Sequence, residues 1–251
     1  MPRLMQLHDN VCCVVDAENQ NDLNHFAEQL RVAASQGKRF LFRSAASLLT
    51  ALARLPGQPV AAQDMAKYVR GGRPGAVIVG SHVRKTTLQL EQLLKMRGVA
   101  PIEVNVEQLP SNRDALLAEI VRLCEQSHAA GKTPVVFTSR LEKSFPDQAT
   151  RLAFGEMVSA FLMDVVRNLP KTLGFLISKG GITSNDVLSS GLALRTSRVV
   201  GQILPGCSVV CCPSDHPRYP DLPVVIFPGN VGDDLALATA YGRLAGHEIE
   251  L

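Results

Sequence analysis

The chain has 251 residues, 46% of them hydrophobic and 20% charged, which is ample for one large or two modest cores and carries no signature of disorder. Its formal net charge of +3 comes from scattered basic residues, with one denser stretch at 67–97, which lacks aromatic interleaving of the kind nucleic-acid platforms use. No apolar run reaches the ~18 residues of a spanning helix, and MPRLMQLHDN lacks an apolar signal core. The expectation is a soluble cytoplasmic protein with no membrane or nucleic-acid partner.

Elements alternate in a β–α rhythm. VCCVVD (11–16) reads as a buried strand, followed by a helix from about Asn21 to Ser35 that Gly37 ends. RFLFR (39–43) reads as a second strand, then a helix over 44–55. The pattern loosens between Pro56 and Gly75, where prolines and glycines surround one short helical piece, and residues 61–75 are expected to be a linker. Alternation then resumes with AVIVG. Ser81 stands at an N-cap position before a helix to about Arg97, and IEVNV follows as a strand. Ser111 to Asp114 has a capping-box pattern ahead of a long helix to about Ala130. PVVFTS is a strand. Leu152, Phe154, Met157, Val158, Phe161, Leu162 and Val165 form one face of the next helix. GFLIS, a short helix over 183–190, strands near 198–203 and 208–212, VVIF and a closing helix over 233–244 complete the chain.

This rhythm predicts a three-layer α/β fold, a mainly parallel sheet with helices on both faces, preceded by a partial α/β N-terminal domain. The expected division is 1–60, a linker at 61–75, and a principal domain at 76–251. The six cysteines, at 12, 13, 124, 207, 211 and 212, have no CxxC spacing. They read as small buried hydrophobes in a reducing compartment.

Three apolar runs end in glycine turns: AVIV in GSHVRKTT, GFLIS in KGGITSNDV, and VVIF in PGNVGDD. Glycine after a buried parallel strand lets the backbone approach a ligand closely, and a helix starting there presents free N–H groups that suit phosphate. Gly180, Gly181, Ile182 and Thr183 give the strongest local signal, with Thr183 and Asp186 placed to cap the short helix. Ser81 and Gly229 mark the other two turns, and Gly80, Ser139 and Asn230 are further candidate contacts. Each turn also has a purely structural reading, as a cap or a tight strand exit. His82, beside Ser81 at a helix start, suits either a ligand contact or a place facing solvent, the second being the expectation. Asp233 and Asp234 suit either a magnesium ion or the first turn of a helix. The polar loop of Asp215, His216, Arg218 and Asp221 reads as a solvated connector. There is no GxxxxGK[ST] and no GxGxxG, so the dehydrogenase class is disfavoured.

FLFRSAASLL, AVIVGSHVRKTTLQLEQLL, ISKGGITSNDVLSSGL, VGQILPG and VVIFPGNVG together resemble the four-carbon acid sugar kinase family, over about residues 14–242. The resemblance implies an N-terminal substrate-binding domain, of which 1–60 would be the remnant, and a C-terminal nucleotide-binding domain. It implies ATP with Mg2+ as cofactors and a tetronate-type sugar acid as substrate. It also carries nucleotide contacts onto Ser81, Gly180 to Thr183, and Gly229. Ile182 departs from the family pattern, which has an acidic residue there, so its contribution would be through backbone or the metal arrangement would differ. The family's opening Asp-Asp-x-Thr-Gly-Ala motif has no counterpart, because Asp233-Asp234 lies elsewhere. No catalytic residue or metal ligand is assigned on this basis. The implied protein is the ATP-binding part of a kinase, inactive alone and complemented by a separate N-terminal half or a second copy. The alternative is a non-catalytic nucleotide- or phosphosugar-binding module.

Overall fold

A computed structural model describes residues 2–58, 60–140 and 144–246. The last residues of the expected 76–251 domain, from 247 on, lie outside the described residues. The chain divides into two compact units at Gly57/Gln58.

In the first unit, α1 (Pro2–Met5), α2 (Gln20–Ser35) and α3 (Ala46–Leu52) surround a small core of Leu4, Leu30, Ala33 and Leu48. Helix α2 starts where a capping box forms. The Asn19 side chain accepts from the Asn21 and Asp22 N–H groups, and Asp22 accepts from the Asn19 N–H. The two strands expected at 11–16 and 39–43 do not form. A strand exists only when a neighbour takes its N–H and C=O groups, and neither segment has one in this unit. Their apolar side chains stand in the open: Val14 is 83% exposed and Leu41 fully so. Cys12 and Cys13 are exposed with them, contrary to the expectation of buried thiols, whereas Cys124, Cys207 and Cys212 are buried.

The second unit is a doubly wound α/β sheet. Its strands are β1 (Ala76–Val79), β2 (Val99–Val104), β3 (Thr133–Thr138), β4 (Leu176–Lys179), β5 (Arg198–Leu204), β6 (Cys207–Cys211) and β7 (Pro223–Phe227), in the order β2-β3-β1-β4-β7-β6-β5. The pairs from β2 to β7 are parallel, and β6 and β5 are antiparallel additions at one end. The central strands are buried on both faces, which is why they read as unbroken apolar runs. Pro101, which has no N–H for a ladder, falls in the edge strand β2.

Alternate residues of each strand feed two cores. Ala76, Ile78 and Val136 face α5 (Leu109–Ala129) and α6 (Gln148–Asn168). Val77, Val79 and Val135 face α4 (Arg84–Leu93) and α8 (Ala236–Ala245). The stretch expected as a linker holds two 3-10 pieces, Ala62–Tyr68 and Arg70–Gly72, and Met65 is fully buried in the second of these cores.

Two helix starts differ from expectation. Helix α4 begins at Arg84 rather than beside Ser81, with Val83 at the N-cap position. Helix α5 begins at Leu109 with Pro110 in its first turn, and Asn112 breaks its regularity, so Ser111 does not open it. The short helix comes earlier than read: α7 (Gly181–Asp186) runs into a π-helical turn, Val187–Gly191.

Candidate functional site

The carboxyl ends of β1, β3, β4 and β7 open into one cavity of about 910 Å³. Open α/β sheets hold their ligands at this end, where neighbouring connections leave in opposite directions. Gly80 and Ser81 follow β1, Thr138 and Ser139 close β3, Gly180 to Thr183 follow β4, and Gly229 and Asn230 follow β7. Apart from Thr138, these are the nine residues that the sequence offered as nucleotide contacts, and they come together in the wall of one cavity.

Their local roles differ. Gly180 has φ +117°, which side-chain-bearing residues rarely adopt, and its N–H donates to the Phe227 carbonyl at 2.8 Å, tying the β4 turn to β7. Gly80 must be glycine for space, since a Cβ there would lie 2.5 Å from Thr183 Oγ1. Thr183 does not cap α7, whose N-cap position is Gly180. It packs instead against the β1 exit. The Ser139 hydroxyl is engaged with β2, donating to the Val104 carbonyl at 3.0 Å and accepting from the Val106 N–H at 3.2 Å. Ile182 is 80% exposed at the cavity wall, where its side chain holds nothing.

Several residues of the site were not singled out in the sequence. Arg140 reaches back from β3: its guanidinium donates to the Ser81 carbonyl at 2.7 Å and to the Thr138 carbonyl at 2.7 Å, which fixes the β1 turn. Burial holds its pKa below the usual value. Phe145, Phe154, Val158 and Leu162 make an apolar wall, with the two phenyl rings 5.2 Å apart. The apolar stripe of α6 was legible as a helix face, but periodicity does not say that its N-terminal half faces a cavity and its C-terminal half the core. Arg84, Lys85 and Arg151 also line the cavity, and so does His82, which was expected to face solvent at a helix start.

No Asp or Glu is among the described residues that line it. Nor do the described residues hold a cluster of His, Cys, Asp and Glu that would bind a metal ion. Asp233 accepts from the Leu235 N–H, a local turn contact, and neither it nor Asp234 lines the cavity. His216 is likewise a connector: Nδ1 accepts from the Tyr219 N–H at 2.9 Å, which orders the polar loop.

A glycine-lined, cation-rimmed cavity at the carboxyl end of a doubly wound sheet defines the class of α/β nucleotide-binding domains. Residues 76–237 match the model of the nucleotide-binding C-terminal domain, and residues 2–52 that of the sugar-binding N-terminal domain. The chain belongs to the family of the nucleotide-binding C-terminal domain, and the pair of domains fits the four-carbon acid sugar kinases.

Among solved structures it is similar to a domain of unknown function from Bordetella bronchiseptica, described as a domain-swapped dimer with bound citrate (TM-score 0.58, 20% identity, 94% of this chain and 54% of that one). It is also similar to a protein from Salmonella typhimurium described as a putative tRNA synthase (TM-score 0.57, 21% identity, 90% of this chain and 51% of that one). At these identities the likeness is one of fold, and the chain spans about half the length of either protein. None of the curated proteins matches it.

Proposed function

We propose that the second unit binds ATP and is the nucleotide-binding part of a sugar-acid kinase of the tetronate type. The observation that carries this reading is the convergence of three glycine turns, Gly80-Ser81, Gly180 to Thr183 and Gly229-Asn230, on one cavity. The cations and main-chain N–H groups of the turns suit phosphates, and the wall of Phe145, Phe154 and Val158 suits a base. The described residues of the cavity wall offer magnesium no carboxylate, so the ion would be held chiefly by phosphate oxygens and water, as Mg2+ commonly is beside nucleotides. When bound, it would neutralise charge developing on the transferred phosphoryl group.

What the chain's own residues contribute is placement. They hold the polyphosphate in line and surround it with fixed donors. A carboxylate to accept the proton of the sugar hydroxyl would come from another polypeptide or another part of a longer one, and activity requires that complement. The lack of an acidic side chain among the described lining residues also supports a second reading, a module that binds nucleotide or phosphosugar without reaction.

The test is a thermal melt with and without Mg-ATP, beside a Gly181→Asp variant. A Cβ at Gly181 meets nothing within 4 Å, so the variant should fold while its carboxylate repels phosphate. Ligand at ~100 times its dissociation constant stabilises the native state by about 2.7 kcal/mol, and that gain should vanish in the variant. Absence of a shift in the unaltered chain would refute the nucleotide reading. Turnover of ATP by the chain alone would refute the non-catalytic one.

A further inference from the structure

The loop after β7 is held by its carbonyl groups. Lys179, the last residue of β4, has a fully buried side chain whose ammonium donates to the Pro228 carbonyl at 2.8 Å and the Gly229 carbonyl at 3.2 Å. It sits 4.3 Å from the centroid of the Phe227 ring. From α4, Lys85 donates to the Asn230 carbonyl at 3.3 Å, and buried Gln89 donates to the carbonyls of Val231 and Asp233 at 3.0 and 2.7 Å. Five carbonyls of one loop are thus turned toward side chains of β4 and α4, of which Lys179 and Gln89 lie behind the cavity wall and Lys85 in it. A carbonyl oxygen facing a phosphate would repel it, so the direction of these groups decides whether the turn accepts or rejects an anion.

We propose that Lys179 is a positioning residue for the nucleotide, holding the Pro228 and Gly229 carbonyls away from the cavity and placing a buried positive charge beneath the phosphate-binding turns. This rests on the nucleotide reading above and adds to it a residue that does not line the cavity. A cation is costly at so buried a position unless it is needed there: a leucine or methionine would fill the same space without desolvating a charge.

Burial lowers the Lys179 pKa to about 8. Among the groups acting on it, Cys207 from β6 opposes the shift and Lys85 from α4 adds to it. The Cys207 thiol, itself pushed up to about 11 by burial, stays protonated near pH 8. On the loop itself, the Asp233 carboxylate is engaged with the Leu235 N–H. An anion above the turns favours the charged lysine, so binding should take up a proton at pH 8–9 and weaken as pH rises.

The experiment is isothermal titration of the unaltered chain and of Lys179→Met with Mg-ATP at pH 7 and pH 9, in buffers of different ionisation enthalpy. For a group titrating near 8, affinity should fall about tenfold between these pH values. The Met variant should bind weakly at both and take up no proton. A flat profile in the unaltered chain, without proton uptake, would overturn the proposal whether or not the variant folds, and leave the nucleotide reading standing. A folded Met variant that binds like the unaltered chain would do the same. No binding of Mg-ATP by the unaltered chain at either pH would overturn both.

Discussion

Glycine at positions 80, 181 and 229 looks alike in the sequence, but the structure separates these residues by what a side chain would meet. At Gly80 an added methyl would collide with Thr183 Oγ1 and lie 3.1 Å from Leu162 Cδ1. Gly80→Ala is therefore expected to cost about 1–3 kcal/mol in thermal melts, as overpacking does. Thr183→Ala in the same chain should return part of that loss, because the two residues share one contact. Gly229→Ala meets nothing and should leave the melt unchanged. Thiol reactivity belongs to this scale too. Burial pushes Cys124 and Cys212 up to about 12 and Cys207 to about 11, so these thiols are both covered and protonated. Labelling with a disulfide reagent at pH 7.5 should modify Cys12 and Cys13 quickly and the buried three only after unfolding, as peptide mapping would read out.

Among elements, α6 carries two functions on one stripe. Its C-terminal half gives Phe161, Met163, Val165 and Val166 to the core, whereas Phe154, Gly155, Val158 and Ser159 line the cavity and Leu162 belongs to both. In the nucleotide reading Phe154 contacts the base and not the phosphates. Phe154→Ala should weaken ATP about fivefold, in line with the ~1 kcal/mol of an aromatic contact. Inorganic pyrophosphate should bind the variant unchanged, and competition titrations would distinguish the two effects. The strands of the sheet were legible from their apolar runs because both faces of a parallel sheet are covered. Helix starts were less so. Ser81 has the chemistry of an N-cap, yet its hydroxyl accepts from the Val83 N–H at 3.4 Å and α4 begins further on. The β1 exit is held by Arg140, a residue some 60 positions away, and no local pattern announces that.

At the scale of the whole molecule, the two units differ in how completely they bury themselves. The second has two cores on either side of a sheet. The first packs its helices but leaves Val11, Val14, Leu41 and Phe42 open, on segments with the residue types of strands and no pairing partner. Such segments add readily to another sheet edge. Concentration-dependent association is expected in sedimentation velocity. Val14→Lys with Leu41→Lys should shift the chain toward monomer without altering the response to nucleotide. An unchanged distribution in the double variant would show that these segments do not drive association.

The α/β class, the strands of the second unit and the three turns were determined by the sequence itself, because buried parallel strands and glycine exits leave local signatures in residue type and period. What the tertiary structure alone decided is which distant groups meet: Arg140 behind Ser81, Lys179 beneath Gly229, and the phenyl rings of Phe145 and Phe154 across from the glycine turns. It also decided that VCCVVD and RFLFR remain unpaired. Strand propensity is a property of a segment, but a strand is a property of two, and its partner is never written in its own residues.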